Sequence, residues 1–403
     1  MQALCIVGLP PSDLTIYKMI LTQCAVCATE LGLSLGKKCG RCSTRYCGPE
    51  CQVQHWKEGG HDKLCKKIKK AGGAEQYNAN NKYAEAVAVA VEKCAEDTKG
   101  QTCYICTQAL HWKTKEGLVR MCACRGTAGF AHVSCLAEQA KILVAEAEEN
   151  NLGSKAFNER WARWAYCGLC EQRYRGVVAC ALGWACWKTH VGRPETELAR
   201  TMAMGLLGSG LFSAKHHKDA LVVREAEISS MQRFDAPPEN ILAVQANLAM
   251  SYGENGDLEK ALSMERDIYS GWLKLLGVEH ERTLQTASNY AISLLDAERY
   301  GEARSLLRKT MPVARHSLGD SNEITFRMRS FYAKALFLDD DAPLDELHEA
   351  VNTLEDNERT ARRVMGGTHP LTQNIGRDLQ IARKSLHLRR MRSICEAVGT
   401  MTT

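Results

Sequence analysis

Residues 248–261 read LAMSYGENGDLEKA: a leucine followed by a small residue, a tyrosine, a turn-forming Glu-Asn-Gly-Asp, and an alanine twelve positions after the small residue. The leading pair recurs as Leu207-Gly208, Leu248-Ala249, Tyr290-Ala291 and Tyr332-Ala333, at spacings of 41, 42 and 42. The later alanine recurs as Ala220, Ala261 and Ala303; the fourth copy has Asp345 there, with Ala350 five residues on. Thr283 to Thr325 is 42 residues and Thr325 to Thr372 is 47, so both markers place a five-residue insertion near 339–343. A period of this length predicts helix pairs, each too small to bury its apolar face alone and therefore stacked on the next. Small residues at fixed positions let paired helices approach closely.

The Leu-Ala-x2-Tyr-x8-Ala pattern resembles the tetratricopeptide repeat. Its 42-residue period, with the boundary segments GVEHERTL and GGTHPLT, resembles the long repeats of kinesin light chains over residues 199–386. The resemblance implies a helical solenoid whose concave face holds peptides or helices and carries no chemistry. Nothing in this half has a Walker, GxGxxG or paired-carboxylate pattern, and histidines 216, 217, 280, 316, 348 and 369 lack metal-ligand spacing. His369-Pro370 marks a helix boundary, and residues 387–403 read as a basic, then polar, tail.

The other half has a different composition. Of 19 cysteines in 403 residues, 18 lie between Cys5 and Cys186, and the last is Cys395. The N-terminal segment 1–23 has no basic n-region and its apolar run stops at Pro10-Pro11, so no secretory signal is expected. The longest apolar run, 176–187, is too short to cross a bilayer. An intracellular chain, cytoplasmic or nuclear, with no membrane partner is the expectation, and there clustered cysteines read as metal ligands rather than disulfides. Residues 37–70 carry ten Lys or Arg against Glu50, Glu58 and Asp62, a local +7 within an overall +5. That reads as a solvated face, and nucleic acid is not the expected partner.

Between 24 and 65 the donors fall as Cys24-x2-Cys27, Cys39-x2-Cys42, Cys47-x3-Cys51 and His61-x3-Cys65. Eight donors make two tetrahedral sites, and thiolate with imidazole is the structural preference of zinc. So short a segment needs the metal's binding energy to fold. The order, closed by CQVQHWKEGGHDKLC, resembles a MYND finger across the whole module. The resemblance implies interleaved sites: Cys24, Cys27, Cys47 and Cys51 on zinc 1, and Cys39, Cys42, His61 and Cys65 on zinc 2, with His55 the rival to His61. It also implies a groove for proline-rich peptides at Gln52 and Trp56, which share a helix face; filling the core between the zincs is the other reading of Trp56.

Residues 66–102 read as a helical linker with Tyr83, Val87, Val91 and Cys94 on its apolar stripe. A second set of donors follows: Cys103-x2-Cys106, Cys122-x-Cys124, His132-x2-Cys135 and Cys167-x2-Cys170. This spacing resembles the RING-CH variant of the RING finger over 103–170. The cross-brace that the resemblance implies puts Cys103, Cys106, His132 and Cys135 on zinc 3 and Cys122, Cys124, Cys167 and Cys170 on zinc 4. RING-type ligases position a charged E2 enzyme against a substrate lysine, and Ile105 fits the family's E2-facing position. Gln139, where a tryptophan is usual, and Glu171, where a cation is common, depart from the pattern. So does the long insert 136–166, helical with a break at Gly153, whose Trp161 and Trp164 supply either aromatic surface or core.

The expected fold is therefore mostly α, with two small cross-braced zinc modules, a connecting helix at 171–198, and a tetratricopeptide-like solenoid. The three modules in this order resemble proteins of unicellular algae and related protists. Two functions follow: an adaptor that needs four zinc ions, binding proteins or peptides through the MYND groove and the concave face of the repeats, or a soluble ubiquitin ligase that recruits an E2 through the second finger. Cys5, Cys94, Cys180, Cys186 and Cys395 are left as ordinary thiols.

Overall fold

The computed structural model describes residues 24–27, 29, 31, 36–367 and 369–401, with side chains described up to residue 392. Cys5 and the side chain of Cys395 lie outside the described residues. The structure divides between Ser251 and Tyr252 into two compact units.

In the first unit a two-stranded antiparallel hairpin, β1 (Lys37–Lys38) and β2 (Arg45–Tyr46), precedes α1 (Pro49–Lys57), α2 (His61–Lys70) and α3 (Ala74–Cys94). Then come α4 (Val133–Glu149), α5 (Ser154–Trp161), a 3-10 turn at 162–164, α6 (Gly176–His190), α7 (Leu198–Ser213) and α8 (His217–Arg233). Helix α9 (Pro238–Glu254) runs through the division. The insert 136–166 is helical and broken at Gly153, which caps α5.

Two segments that read as connectors are central. Helix α6 packs against α3, α4, the 3-10 turn and α7, and Val178 and every residue from Cys180 to Trp187 are buried. A helix apolar all round belongs in a core, and α6 is the core of this unit. Its contact with α7 is tight: a Cβ on Gly183 would stand 3.1 Å from the Leu207 Cα, and one on Gly210 would stand 2.6 Å from the Ala179 carbonyl oxygen. Helix α3 is likewise no free spacer. It ends at Cys94, lies along α6, buries Val87, Ala90 and Cys94, and donates or accepts a 3.1 Å hydrogen bond between Tyr83 Oη and Ser134. Trp161 and Trp164 are buried in the same core, so neither adds aromatic surface to the finger.

The second unit contains α10 (Leu258–Leu276), α11 (Glu281–Asp296), α12 (Tyr300–Leu318), α13 (Glu323–Phe337), α14 (Leu344–Met365) and α15 (Pro370–Met401). Each packs on the next, and α11, α13 and α15 also pack on one another in turn. Ala291, Ala303, Ala333 and Ala350 are fully buried at these crossings. The repeat boundaries share a construction. Gly277, Gly319 and Gly366 end the preceding helices with φ of 79°, 88° and 86°, a region open to glycine without a Cβ penalty. Three residues later His280, Asn322 and His369 accept from a backbone N–H two residues on, at 3.1, 2.8 and 3.3 Å. Three further on, Thr283, Thr325 and Thr372 are buried.

The insertion in the fourth repeat is shared between a loop and a helix. The α13–α14 connection has six residues where α11–α12 has three, and α14 begins six residues before Ala350 where α12 begins three before Ala303. Arg304 on α12 holds Asp339 at 2.9 Å, and Arg389 on α15 donates to the Asp339 and Ala342 carbonyls, each at 2.8 Å.

One buried carboxyl makes the first unit's stability depend on pH. Glu227 on α8 lies against Gly205, and burial, partly offset by the Arg224 charge, pushes it from 4.5 up to about 8. The native state therefore keeps this proton to higher pH than the unfolded chain, so stability falls as pH rises from about 4.5 to about 8 and levels above. Glu227→Gln should raise stability by on the order of 1–3 kcal/mol at pH 8 and by less at pH 6, read by chemical denaturation at both values.

Candidate metal centres

The eight pairs of donors gather into four groups: Cys24, Cys27, Cys47 and Cys51; Cys39, Cys42, His61 and Cys65; Cys103, Cys106, His132 and Cys135; and Cys122, Cys124, Cys167 and Cys170. Within each group all donor atoms lie within 4.8 Å of one another. Cys47 Sγ is 3.5 Å from Cys27 and 3.4 Å from Cys51, Cys39 is 3.9 Å from Cys65, and Cys124 is 3.7 Å from Cys167. These separations are far too long for disulfides at about 2.05 Å. They match the edge of a tetrahedron of sulfurs about 2.3 Å from a central ion, roughly 3.8 Å.

Backbone geometry explains how the paired cysteines are presented. In Cys39–Thr44, Cys103–Gln108 and Cys167–Gln172 the first cysteine's N–H donates to the carbonyl five residues on, at 2.8, 3.0 and 2.9 Å. Its carbonyl accepts from the N–H four residues on, at 2.9, 2.8 and 3.0 Å. The residue after the second cysteine is left-handed in all three: Ser43 (φ 61°), Thr107 (φ 61°) and Glu171 (φ 57°). Cys24 makes the same long bond to Thr29 at 2.8 Å. Of the remaining donors, Cys51 sits on α1, His61 and Cys65 on α2, and His132 and Cys135 at the start of α4, whereas Cys47, Cys122 and Cys124 lie in loops.

The two histidines present different nitrogens. His61 Nε2 is 3.4 Å from Cys42, whereas His132 Nδ1 is 3.3 Å from Cys106 and 3.6 Å from Cys135. His132 Nε2 is held 3.3 Å from the Ala109 carbonyl, a partner that orients a ligating ring. His55 lies outside the group: its Nδ1 is 3.0 Å from Tyr46 Oη, its ring is tilted against that of His61 at 4.8 Å, and burial with the His61 charge pulls it down to about 4.

Thiols so crowded cannot ionise together unaided. Burial opposes ionisation of Cys39, yet hydrogen bonds from His61 and from the Arg41 and Cys42 N–H groups bring it down to about 6. Burial and the neighbouring cysteines push its companion Cys65 up to about 12. In the first group Cys27 falls to about 7, as hydrogen bonds to Thr29 outweigh burial, while Cys47 rises to about 11 through burial and its cysteine neighbours. Burial and adjacent cysteines likewise raise Cys51, Cys124 and Cys135. A dication at the centre of each group removes this conflict.

The side chains expected from the sequence to face partners differ in exposure. Trp56 is 45% exposed, so it does not fill a core between the two groups; its ring rests 5.7 Å from His61, with half-buried Gln52 one turn before it. Ile105 is 37% exposed, and Leu169 occupies the equivalent place in the Cys167–Cys170 knuckle at 52% exposure. Each is fixed by its own N–H to the first cysteine's sulfur, at 3.4 and 3.5 Å. Reading by spacing missed Leu169, although the parallel of CYIC and CGLC contained it. Gln139 is half-buried on α4 and Glu171 takes the left-handed knuckle position. Cys94, Cys180 and Cys186 are buried and belong to none of the groups.

Comparison with known proteins finds three family matches along the chain. The MYND finger family matches residues 24–65, the RING-variant domain family 103–151, and the tetratricopeptide repeat family 240–338. The RING-variant match stops before Cys167 and Cys170, which complete the fourth group in space. A clustered mitochondria protein homolog of Emericella nidulans is 25% identical over 205 residues, 48% of this chain, and the match spans 16% of that protein. Among solved structures, the nearly identical TPR-like repeats of a Podosopora anserina kinesin light chain are similar at 17% identity and a TM-score of 0.40, covering 58% of this chain and 98% of that one. BtubC (BKLC) from P. vanneervenii is similar at 11% identity and a TM-score of 0.39, covering 66% and 92%.

The geometry at His61 separates the two histidine candidates. His61→Ala should lower metal content by about one equivalent per chain, and His55→Phe should leave it unchanged, both read by plasma mass spectrometry of the purified protein.

Proposed function

We propose that this chain is a zinc-dependent adaptor in which two metal-folded fingers and a helical repeat array each hold a protein or peptide partner. The four tetrahedral donor groups carry this reading, because their sulfur-rich composition suits zinc and each has four protein donors, the closed set of a structural rather than a catalytic site. The ions would fold the fingers, and exposed side chains on those frames would do the binding. Trp56 supports the peptide role of the first finger, since a large indole left open on a rigid helix offers contact area with little ordering cost.

A second reading rests on Ile105 and Leu169. Two aliphatic side chains held out at equivalent positions of adjacent knuckles form the kind of apolar pair that would receive an E2 enzyme. In that reading the second finger works as a ligase by positioning, and the first finger and repeats select the substrate.

Metal analysis of the full chain should give about four zinc ions, and fewer than about three would break the two-finger assignment. Trp56→Ala should abolish binding of a labelled proline-rich peptide by fluorescence polarisation without changing metal content. Autoubiquitination across a panel of E2 enzymes separates the two readings. Silence favours the adaptor, whereas lysine-dependent ladders lost in both Ile105→Ala and Leu169→Ala establish the ligase.

A further inference from the structure

Helix α15 carries two opposed faces. One, formed by Thr372, Ile375, Leu379, Ala382 and Leu386, packs into the core shared with α13 and α14. The other follows the spacing i, i+4, i+7, i+11 and i+14–15 through Arg377, Ile381, Lys384, Leu388, Met391 and Arg392. Ile381, Leu388 and Met391 are 52%, 57% and 49% exposed, three large apolar side chains on one stripe. Lys384 lies between Ile381 and Leu388, Arg377 and Arg392 stand at the two ends of the stripe, and none of its six residues is a carboxylate. Arg377 donates to Asn374, and neither Lys384 nor Arg392 has an ion pair among the described residues.

We infer that this outward face of α15 docks an acidic amphipathic helix of a partner protein. Three observations choose that occupant. Neighbouring helices of this unit are already joined by cation–carboxylate pairs beside apolar contacts: Arg304 with Glu346, Arg329 with Asp356, Lys334 with Asp378 at 3.1 Å, and Arg383 with Glu355 at 2.7 Å. The α15 face offers the basic and apolar half of such a joint without the acidic half. A second copy of α15 would set cation against cation, which is unfavourable at helix contacts. A bilayer surface fits poorly, because membrane-lying helices keep cations on the flanks of the apolar strip, whereas Lys384 stands between Ile381 and Leu388. A carboxylate on a facing helix can reach that position, and leucines beside it cover the apolar three.

The probe is a fluorescein-labelled synthetic helical peptide of three heptads, with leucines on one face flanked by glutamates, titrated with the full-length protein. A companion peptide has lysine in place of each glutamate. The acidic peptide should bind in the micromolar range and weaken as salt is raised. Leu388→Ser, and separately the pair Lys384→Glu with Arg392→Glu, should each weaken it by about tenfold or more. The charge-reversed variant should instead bind the lysine peptide. All three positions are solvent-facing, so both variants should keep the parent's thermal transition. Equal binding of both peptides, no binding of either, or affinity unchanged in both variants overturns the inference. So does co-sedimentation with phosphatidylserine vesicles without peptide binding, or a dimer lost on Leu388→Ser in a chain that ignores the peptide.

Discussion

Repulsion between thiolates brought within 4.8 Å of one another is the constraint on which the N-terminal architecture depends. No arrangement of hydrogen bonds resolves it for a whole group: where one cysteine is eased toward ionisation, as Cys39 and Cys27 are, its neighbours Cys65 and Cys47 are driven the other way. A central dication would let the thiols of a group ionise together. The helices inherit their placement from that requirement, since α1, α2 and α4 each carry or begin at a donor. Helix α3 then leads from the first finger into the core beneath the second.

The repeat array rests on a different economy. Its stability comes from alanines at crossings and from a boundary of glycine, capping side chain and buried threonine repeated three times. Such a unit tolerates an insertion wherever the extra residues find partners of their own, and Arg304 and Arg389 supply them at residues 339–342. The result is a longer joint that leaves Ala350 in its buried place.

The donor pairs and the repeat register were legible in the sequence because both are local, whereas the joining of pairs into groups was implied only by the family resemblances. A two-residue gap between cysteines needs no knowledge of the remaining chain, and a 42-residue period survives any choice of packing. What escaped depends on tertiary surroundings. The 176–187 segment read as a connector because its short length says nothing about how many neighbours it meets; Val178 and all of Cys180 to Trp187 are in fact buried. The openness of Trp56 was undecided for the same reason. Ser43, Thr107 and Glu171 gave no warning of their left-handed backbone, since the usual glycine is absent and the turn is imposed by the ligand pair. Leu169 was passed over because spacing rules mark donors, not the residues between them.

The order of donors along the chain has a consequence for how the fingers would lose a bound metal. In the first finger the groups alternate, so Cys39 and Cys42 lie between Cys27 and Cys47, and Cys47 and Cys51 lie between Cys42 and His61. Emptying one group releases a loop whose closure holds the donors of the other in place. With an ion in each group, every finger would be a paired lock in which the first ion to leave loosens the second, and demetallation would proceed finger by finger rather than ion by ion.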